Sequence, residues 1–582
     1  MKRKKTVSRK KTAIVSDVEP KSNFSRHHKY IFIGLVVVLL LIAFGIRTYH
    51  LTSLPPGIYP DEAVNGTDAI RANETGHYQL FYSNNYGREG LFMNLIALGF
   101  LFFGVSIVTL KMWSIFFGTL TVLGMVLLGR ELFKSWRAGL IAGFLIATSF
   151  WAINFSRIAF RANMLPFVLV FSFYFLFRGL RIYSARISQN QRDTTKNLDF
   201  FSKIKNWCGA NYNYILAGAL FGLGVHTYIA FRIAPVILIA IFFAFLLSGK
   251  NFLRTHWKTI LIFTLSIIVV ALPMLLTFYY HPEYFETRSE AVSVLSPKVN
   301  QGHPLKALAT SIALNLKMFN FHGDQNWRHN LPSQPELQLL VGVFFLLGIG
   351  YYLAQFFRLL YLRIRREKRS EEFVISTFLL SWFFAMLLPG ILAYEGLPHS
   401  LRVIGAMPVA LLFATFAFES VFKFFDKIQN RYWRTLTYVI LTVAIISSGV
   451  ISVRRYFVDW GNSLNIHAAF SQNLKNMALF LNNLPPKYNK YVVANAGGQI
   501  MNDGMPVAAH VVELLTHYRT PGIVFLRPDF DPKIIKPRAK IALMYYNGEV
   551  IAKIKSIYPD AQVQKLDPQP GNGTDYFVVN IN

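Results

Sequence analysis

Asp61 and Glu62 stand side by side directly after Pro60, at the start of a stretch that also carries Asp68, Arg71, Glu74, Arg88 and Glu89. A proline followed by two acids is a good helix start, because proline fits the first helical position and carboxylates favour the positive end of the helix dipole. The apolar segment GLFMNLIALGFLFFG (Gly90 to Gly104) follows at once and returns the chain to a greasy environment. So much charge held beside an apolar surface favours a polar cleft facing an amphiphilic substrate over a mere helix cap.

Cations recur elsewhere: Arg88 in GREG, Arg157 and Arg161 in NFSRIAFRANMLP, and His399 with Arg402 in YEGLPHSLRVIG. Interfacial anchoring is the reading preferred for Arg157 and Arg232. The stretch from 281 to 335 adds His281, Glu283, His303, His322, Asp324 and His329, whose loose spacing is weak evidence for a metal. Trp327 and Phe321 in the same stretch stand beside polar side chains, and bland interfacial aromatics explain them.

These residues are set in a chain of 582 residues of which 53% are apolar, 15% aromatic and only 15% charged. A soluble protein carries about 25% charged residues, so the composition is that of a membrane protein. The formal charge of +30 falls in short basic clusters between apolar runs and anchors the chain at membrane surfaces, which disfavours nucleic acid as a partner. Cys208 is the sole cysteine, which excludes an intrachain disulfide and a cysteine-rich zinc site.

Apolar runs near 30 to 46, 108 to 129, 138 to 153, 164 to 180, 213 to 229, 233 to 248, 259 to 278, 337 to 357, 373 to 393, 402 to 422 and 435 to 452 give eleven expected crossings. No small-residue cleavage site follows the first, which is expected to remain as an uncleaved span behind a basic cytoplasmic terminus, residues 1–29. If 90–104 also crossed, the basic loops, among them Arg130, Lys134, Arg137; Arg192, Lys196; Lys250; Arg365, Arg366, Lys368, Arg369; and Lys423, Arg431, would all lie outside. Lysine and arginine are retained inside, so this stretch is expected to lie along or dip into the outer surface. Parity then places 48–107, 281–335 and the tail after about 455 on the outer side of the plasma (cytoplasmic) membrane. Within the spans ionisable residues are nearly confined to His226 and Glu419, which disfavours an ion-coupled carrier.

The fold class expected is an α-helical polytopic membrane protein, 30–454, followed by an extracytoplasmic α/β domain, 455–582. In that tail short apolar strands at Tyr491 to Ala494, Ile523 to Leu526, Lys540 to Tyr545 and Tyr576 to Asn580 alternate with helices at 463–483, 507–518 and 548–558. The segment NAGGQIMNDG lacks the G-x-G-x-x-G spacing of a dinucleotide site and is expected to be a plain loop.

A first crossing, then YPDE opening an outer loop, then GREGLF before an amphipathic apolar segment together resemble the GT-C class of membrane glycosyltransferases. The likeness is to the bacterial relatives of protein O-mannosyltransferases and lipid A aminoarabinose transferase, glycosyltransferase family 39, and covers 30–280 best. It implies an inverting enzyme that takes a hexose or pentose from a polyprenyl-phosphate carrier at the outer face, with a glycan, lipid or protein as acceptor. Asp61 would then be the general base toward the acceptor hydroxyl, and Glu62 would orient acceptor or base. Arg88, Arg161, His399 and Arg402 would meet the phosphate of the leaving carrier, and Glu89 and Trp327 would contact acceptor or sugar. Where such relatives carry a second aspartate this chain has Ala162 and Asn163, which weakens a metal bridge; no cofactor is expected, with a divalent metal left open. The alternative is a non-catalytic membrane protein, a lipid-carrier flippase or an envelope scaffold.

Overall fold

The computed structural model describes residues 26–190, 200–248, 251–286, 293–364, 371–517, 520, 522–568 and 572–582. The basic terminus up to residue 25, Arg192, Lys196, Lys250, and Arg365, Arg366, Lys368 and Arg369 lie outside the described residues, as do 287–292 of the second outer stretch.

Chain order begins with α1 (Arg26–Thr48), α2 (Pro60–Thr75), the two-residue strands β1 (Phe81–Tyr82) and β2 (Arg88–Glu89), α3 (Leu91–Phe103) and α4 (Ile107–Phe133). There follow α5 (Trp136–Thr148), α6 (Phe150–Ser156), α7 (Met164–Asn190), α8 (Phe200–Leu223), α9 (Pro235–Ser248) and α10 (Phe252–Tyr280). Sequence-local signals set several boundaries. The Ser106 hydroxyl accepts the Thr109 N–H at 3.1 Å to start α4, and Ser135 does the same for Ala138 at the start of α5.

Nine helices among the described residues are long and apolar enough to cross a membrane, ten when the bent pair α5–α6 counts as one span. The protein is a multi-pass membrane protein. Burial sorts the spans: 83% of the most apolar window of Ile404–Phe425 is buried inside the protein, against 17% for His27–Thr48 and for Phe252–Tyr280, so the first is central and the others line the lipid-facing rim. Ten of the expected crossings correspond to these helices. The remaining one, 213–229, covers the apolar second half of α8, which ends at Leu223, and a short 3-10 helix, Gly224–His226, and is not among the counted helices. The segment expected along the surface is a helix of 13 residues, too short to span.

The 59° bend between α5 and α6 has an identifiable support. Breaking the helix frees carbonyls in its last turn. The fully buried Arg47 guanidinium donates to Ala147 O at 3.2 Å, to Ala43 O at 3.1 Å and to Ser156 Oγ at 3.1 Å, tying α1 to both halves of the bend. Arg157 is likewise no interfacial anchor. It is buried, donates to Ile46 O and Arg47 O at 2.9 Å each, and so caps the carboxyl end of α1.

After the last span the chain forms a five-stranded sheet in the order β4-β3-β5-β7-β6, with β3 (Asn489–Val493), β4 (Ile523–Leu526), β5 (Ala539–Leu543), β6 (Gln562–Leu566) and β7 (Tyr576–Ile581). β4, β3 and β5 run parallel, and β7 and β6 pair antiparallel. Alternation along β3 divides two cores: Tyr491 and Val493 face the helix Gly548–Ile557, while Val492 joins the helices Gln472–Asn483 and Ala509–Thr516. That second core continues into the helical domain through Ala63 and Ala69 of α2, Phe92 and Ile96 of α3, and Leu110 of α4. Gly66 of α2 permits the approach, since a Cβ there would sit 2.8 Å from the Leu514 side chain.

Candidate functional site

Residues 61, 65 and 68 share one face of α2, because spacings of four and three bring side chains into line on a helix. Arg88 on β2 reads that face: it donates to Asn65 Oδ1 at 2.7 Å and to the Asp68 carboxylate, with both ion-pair partners buried. Asn65 in turn donates to Ala159 O at 2.8 Å, which fixes α2 against the chain between α6 and α7. Asp61 is half-buried at the open end of the row, and the Asn85 amide donates to its Oδ1. Asn85 and Tyr86 take left-handed φ values of 53° and 62°, a tight turn that aims the amide at the carboxylate.

These groups line a cavity of about 390 Å³. Its wall includes Tyr59, Asp61, Asn65, Asn85, Arg88, Phe160, Arg161 and Tyr228 from the first half of the chain, and Asp324, Arg328, His329, Glu395, His399 and Arg402 from further along it. Seven residues singled out in the sequence therefore meet in one space: Asp61, Arg88, Arg161, His399 and Arg402, with Asp324 and His329. Arg161 is held by Glu89 at 2.7 Å and lies over the Tyr228 ring. Arg402 donates to Glu395 Oε2 at 3.0 Å and to Glu395 O at 2.7 Å.

Three expected contacts lie elsewhere. Glu62, one residue on from Asp61 and so about 100° around the helix, points away from the cavity and forms a fully buried ion pair with Lys111 at 3.6 Å. Burial raises its carboxyl, and the Lys111 charge opposes that rise. Glu89 sits behind Arg161 and does not line the wall. Trp327 packs on the core of the spans, its carbonyl accepting the Trp460 indole N–H at 2.9 Å, and the rings that line the cavity are Tyr59, Phe160 and Tyr228 instead.

Sequence reasoning did not single out Arg328, nor the partnership of Asp324 with two histidines. Arg328 lies 4.4 Å from the Tyr59 ring centre and donates to Ala469 O at 2.6 Å. Asp324 Oδ2 accepts His329 Nδ1 at 2.9 Å, Ser400 N at 2.8 Å and Ser400 Oγ at 3.1 Å, and Oδ1 accepts Asn326 N at 2.8 Å. Burial opposes ionisation of Asp324, yet the charge and hydrogen bond of His329, the charge of His399 and the Asn326 N–H outweigh it and hold the carboxyl down at about 2. The compact run DQNWRHN was the available signal, but spacing alone does not say that His399 comes to meet it.

The chain, helical bundle and terminal sheet domain together, is similar in fold to solved structures. The structure is similar to that of ArnT from Cupriavidus metallidurans bound to undecaprenyl phosphate, with a TM-score of 0.51 and 11% identity over 95% of this chain and 98% of that one. The apo form of the same protein matches with a TM-score of 0.50 and 10% identity over the same shares. The Archaeoglobus fulgidus oligosaccharyltransferase tethered with an acceptor peptide containing the NVT sequon matches with a TM-score of 0.50 and 17% identity over 86% of this chain. The match covers 64% of that longer protein. At such identities the likeness is one of fold. No protein-family model matches the sequence, and no curated protein does.

Proposed function

We infer that the chain is an inverting glycosyltransferase, related to family 39, that moves a sugar from a polyprenyl-phosphate carrier to an acceptor hydroxyl at the outer face of the membrane. The observation that carries this reading is one cavity lined both by a half-buried carboxylate, Asp61, and by Arg328, His399 and Arg402. Asp61 takes the acceptor proton as the hydroxyl oxygen attacks the anomeric carbon, and Asn85 fixes its orientation. The carbon–oxygen bond to the carrier breaks, and the phosphate leaves with its negative charge toward Arg328, Arg402 and His399, which line the same cavity. Arg88 and Arg161 are already neutralised by Asp68 and Glu89, and they act chiefly to hold α2 and the rim. Tyr59, Phe160 and Tyr228 offer flat apolar faces to the sugar. The undecaprenyl phosphate bound by the similarly folded ArnT supports a lipid-phosphate carrier as donor.

Asp61→Asn should lower transfer from a polyprenyl-phosphate sugar by about 10²- to 10⁴-fold, the usual worth of a positioned general base. The assay uses purified protein in liposomes, with yield and membrane insertion checked in parallel. Transfer at the wild-type rate would remove Asp61 from the mechanism.

A further inference from the structure

The geometry points to a divalent transition-metal site formed by Asp324, His329 and His399 in the wall of the cavity that Asp61 also lines. Asp324 and His329 come from the loop before the Leu339–Ile364 helix, and His399 from the loop after Glu371–Leu392. One ligand atom from each of the three lies within 4.8 Å of the other two. Asp324 Oδ2 is 2.9 Å from His329 Nδ1 and 3.8 Å from His399 Nδ1. Two ligands each about 2.0–2.1 Å from a tetrahedral ion stand about 3.3 Å apart, so the observed separations bracket what an ion requires.

The donor set states which ions fit. Two imidazoles and a carboxylate suit zinc and its first-row neighbours, whereas magnesium and calcium take oxygen ligands. Ion binding replaces the proton that His329 Nδ1 shares with Asp324. The supports expected around a ligating carboxylate are already in place, since Ser400 N and Oγ hold Oδ2 and Asn326 N holds Oδ1. The Asp324 N–H is itself fixed by Glu336 Oε1 at 3.1 Å. All three residues line the cavity, so a fourth ligand comes from that side. If the glycosyl-transfer reading holds, that ligand is a phosphate oxygen of the donor, and the ion takes up the charge that develops on the leaving carrier.

The alternative cluster in the terminal domain, Asp503, His510 and Glu513, differs in one decisive respect. The Arg71 guanidinium already sits against both carboxylates, at 2.7 and 3.1 Å, and supplies the cation there.

The test uses the full chain in detergent, with any affinity tag removed, stripped by a chelator and titrated with ZnCl₂ or CoCl₂ alone. Expected are one ion bound per chain and, with Co²⁺, the visible absorption of a site with nitrogen ligands. His329→Ala and His399→Ala should each weaken affinity by at least about 100-fold. His399→Cys should keep the ion and add a thiolate-to-Co²⁺ charge-transfer band, a readout that a folding defect cannot mimic. Absence of uptake by the wild type, or unchanged affinity in both alanine variants with no new band in His399→Cys, would overturn the site. None of these measurements involves sugar transfer, so their failure leaves the Asp61→Asn assay to judge the enzyme independently.

Discussion

At the scale of single residues, the cavity separates groups that line its interior from groups that hold those groups still. Arg328 lines the wall and, among the described residues, forms no ion pair with a carboxylate, whereas Arg88, Arg161 and Arg402 each have one. Its charge is the least compensated, so Arg328→Ala should raise the KM for the lipid donor by about 10- to 150-fold, the worth of a hydrogen bond to a charged group. Arg402→Ala should raise it less, and donor titration of the two variants compares them. Glu62 and Lys111 make the opposite case. Losing one partner of a buried pair leaves an uncompensated charge, so Lys111→Met should cost about 3–5 kcal/mol of stability, while Glu62→Gln with Lys111→Met should restore most of it and keep transfer activity. Thermal unfolding of the two variants is the measurement. The sequence presented Asp61 and Glu62 as one unit because adjacent letters look paired, and helical geometry sends them to different neighbours. The cations of the cavity were legible because each sat in a short polar island between apolar runs; Arg328 was not, because its island also held histidines, acids and a tryptophan.

At the scale of elements, α2 is the piece on which the site depends, and its outer face is gripped by the terminal domain. Arg71 pairs with Asp503 and Glu513, Thr67 meets His510 Nδ1 at 3.3 Å, and Asn502 N donates to Asn84 Oδ1 at 3.1 Å, one residue before the amide that holds Asp61. Burial opposes ionisation of Asp503 and Glu513, but hydrogen bonds and charge from Arg71 and His510 outweigh it and leave both carboxyls below their ordinary values of 3.8 and 4.5. Their folded pKa values are depressed, so the stability they contribute is complete above pH 4.5 and drains away as pH falls through the lowered values. Melting temperature should therefore drop below pH 4.5 in the wild type, and less steeply in Asp503→Asn with Glu513→Gln. Gly66→Val, which drives a branched side chain into Leu514, should loosen the same contact by about 1–3 kcal/mol. Most of these elements could be read from hydrophobic period and turn residues. β6 could not: QVQKL is almost wholly exposed and is a strand only because β7 offers it an edge.

At the scale of the whole molecule, the sidedness expected from the basic loops predicts that position 61 reacts with a membrane-impermeant thiol reagent only from outside when Asp61→Cys is made in a Cys208→Ser background. The core shared by α2, α3 and the terminal sheet domain also bears on how the protein comes into being. Thr67 and its partner His510 are separated by 443 residues of chain. At about 5 to 20 residues per second, a ribosome needs on the order of 20 to 90 s to travel between them. Throughout that interval the bundle can thread into the bilayer while α2 waits without its companion. Maturation of the cavity is thereby deferred to the closing moments of translation, and a chain cut short by a premature stop would sit in the membrane with its working end unassembled.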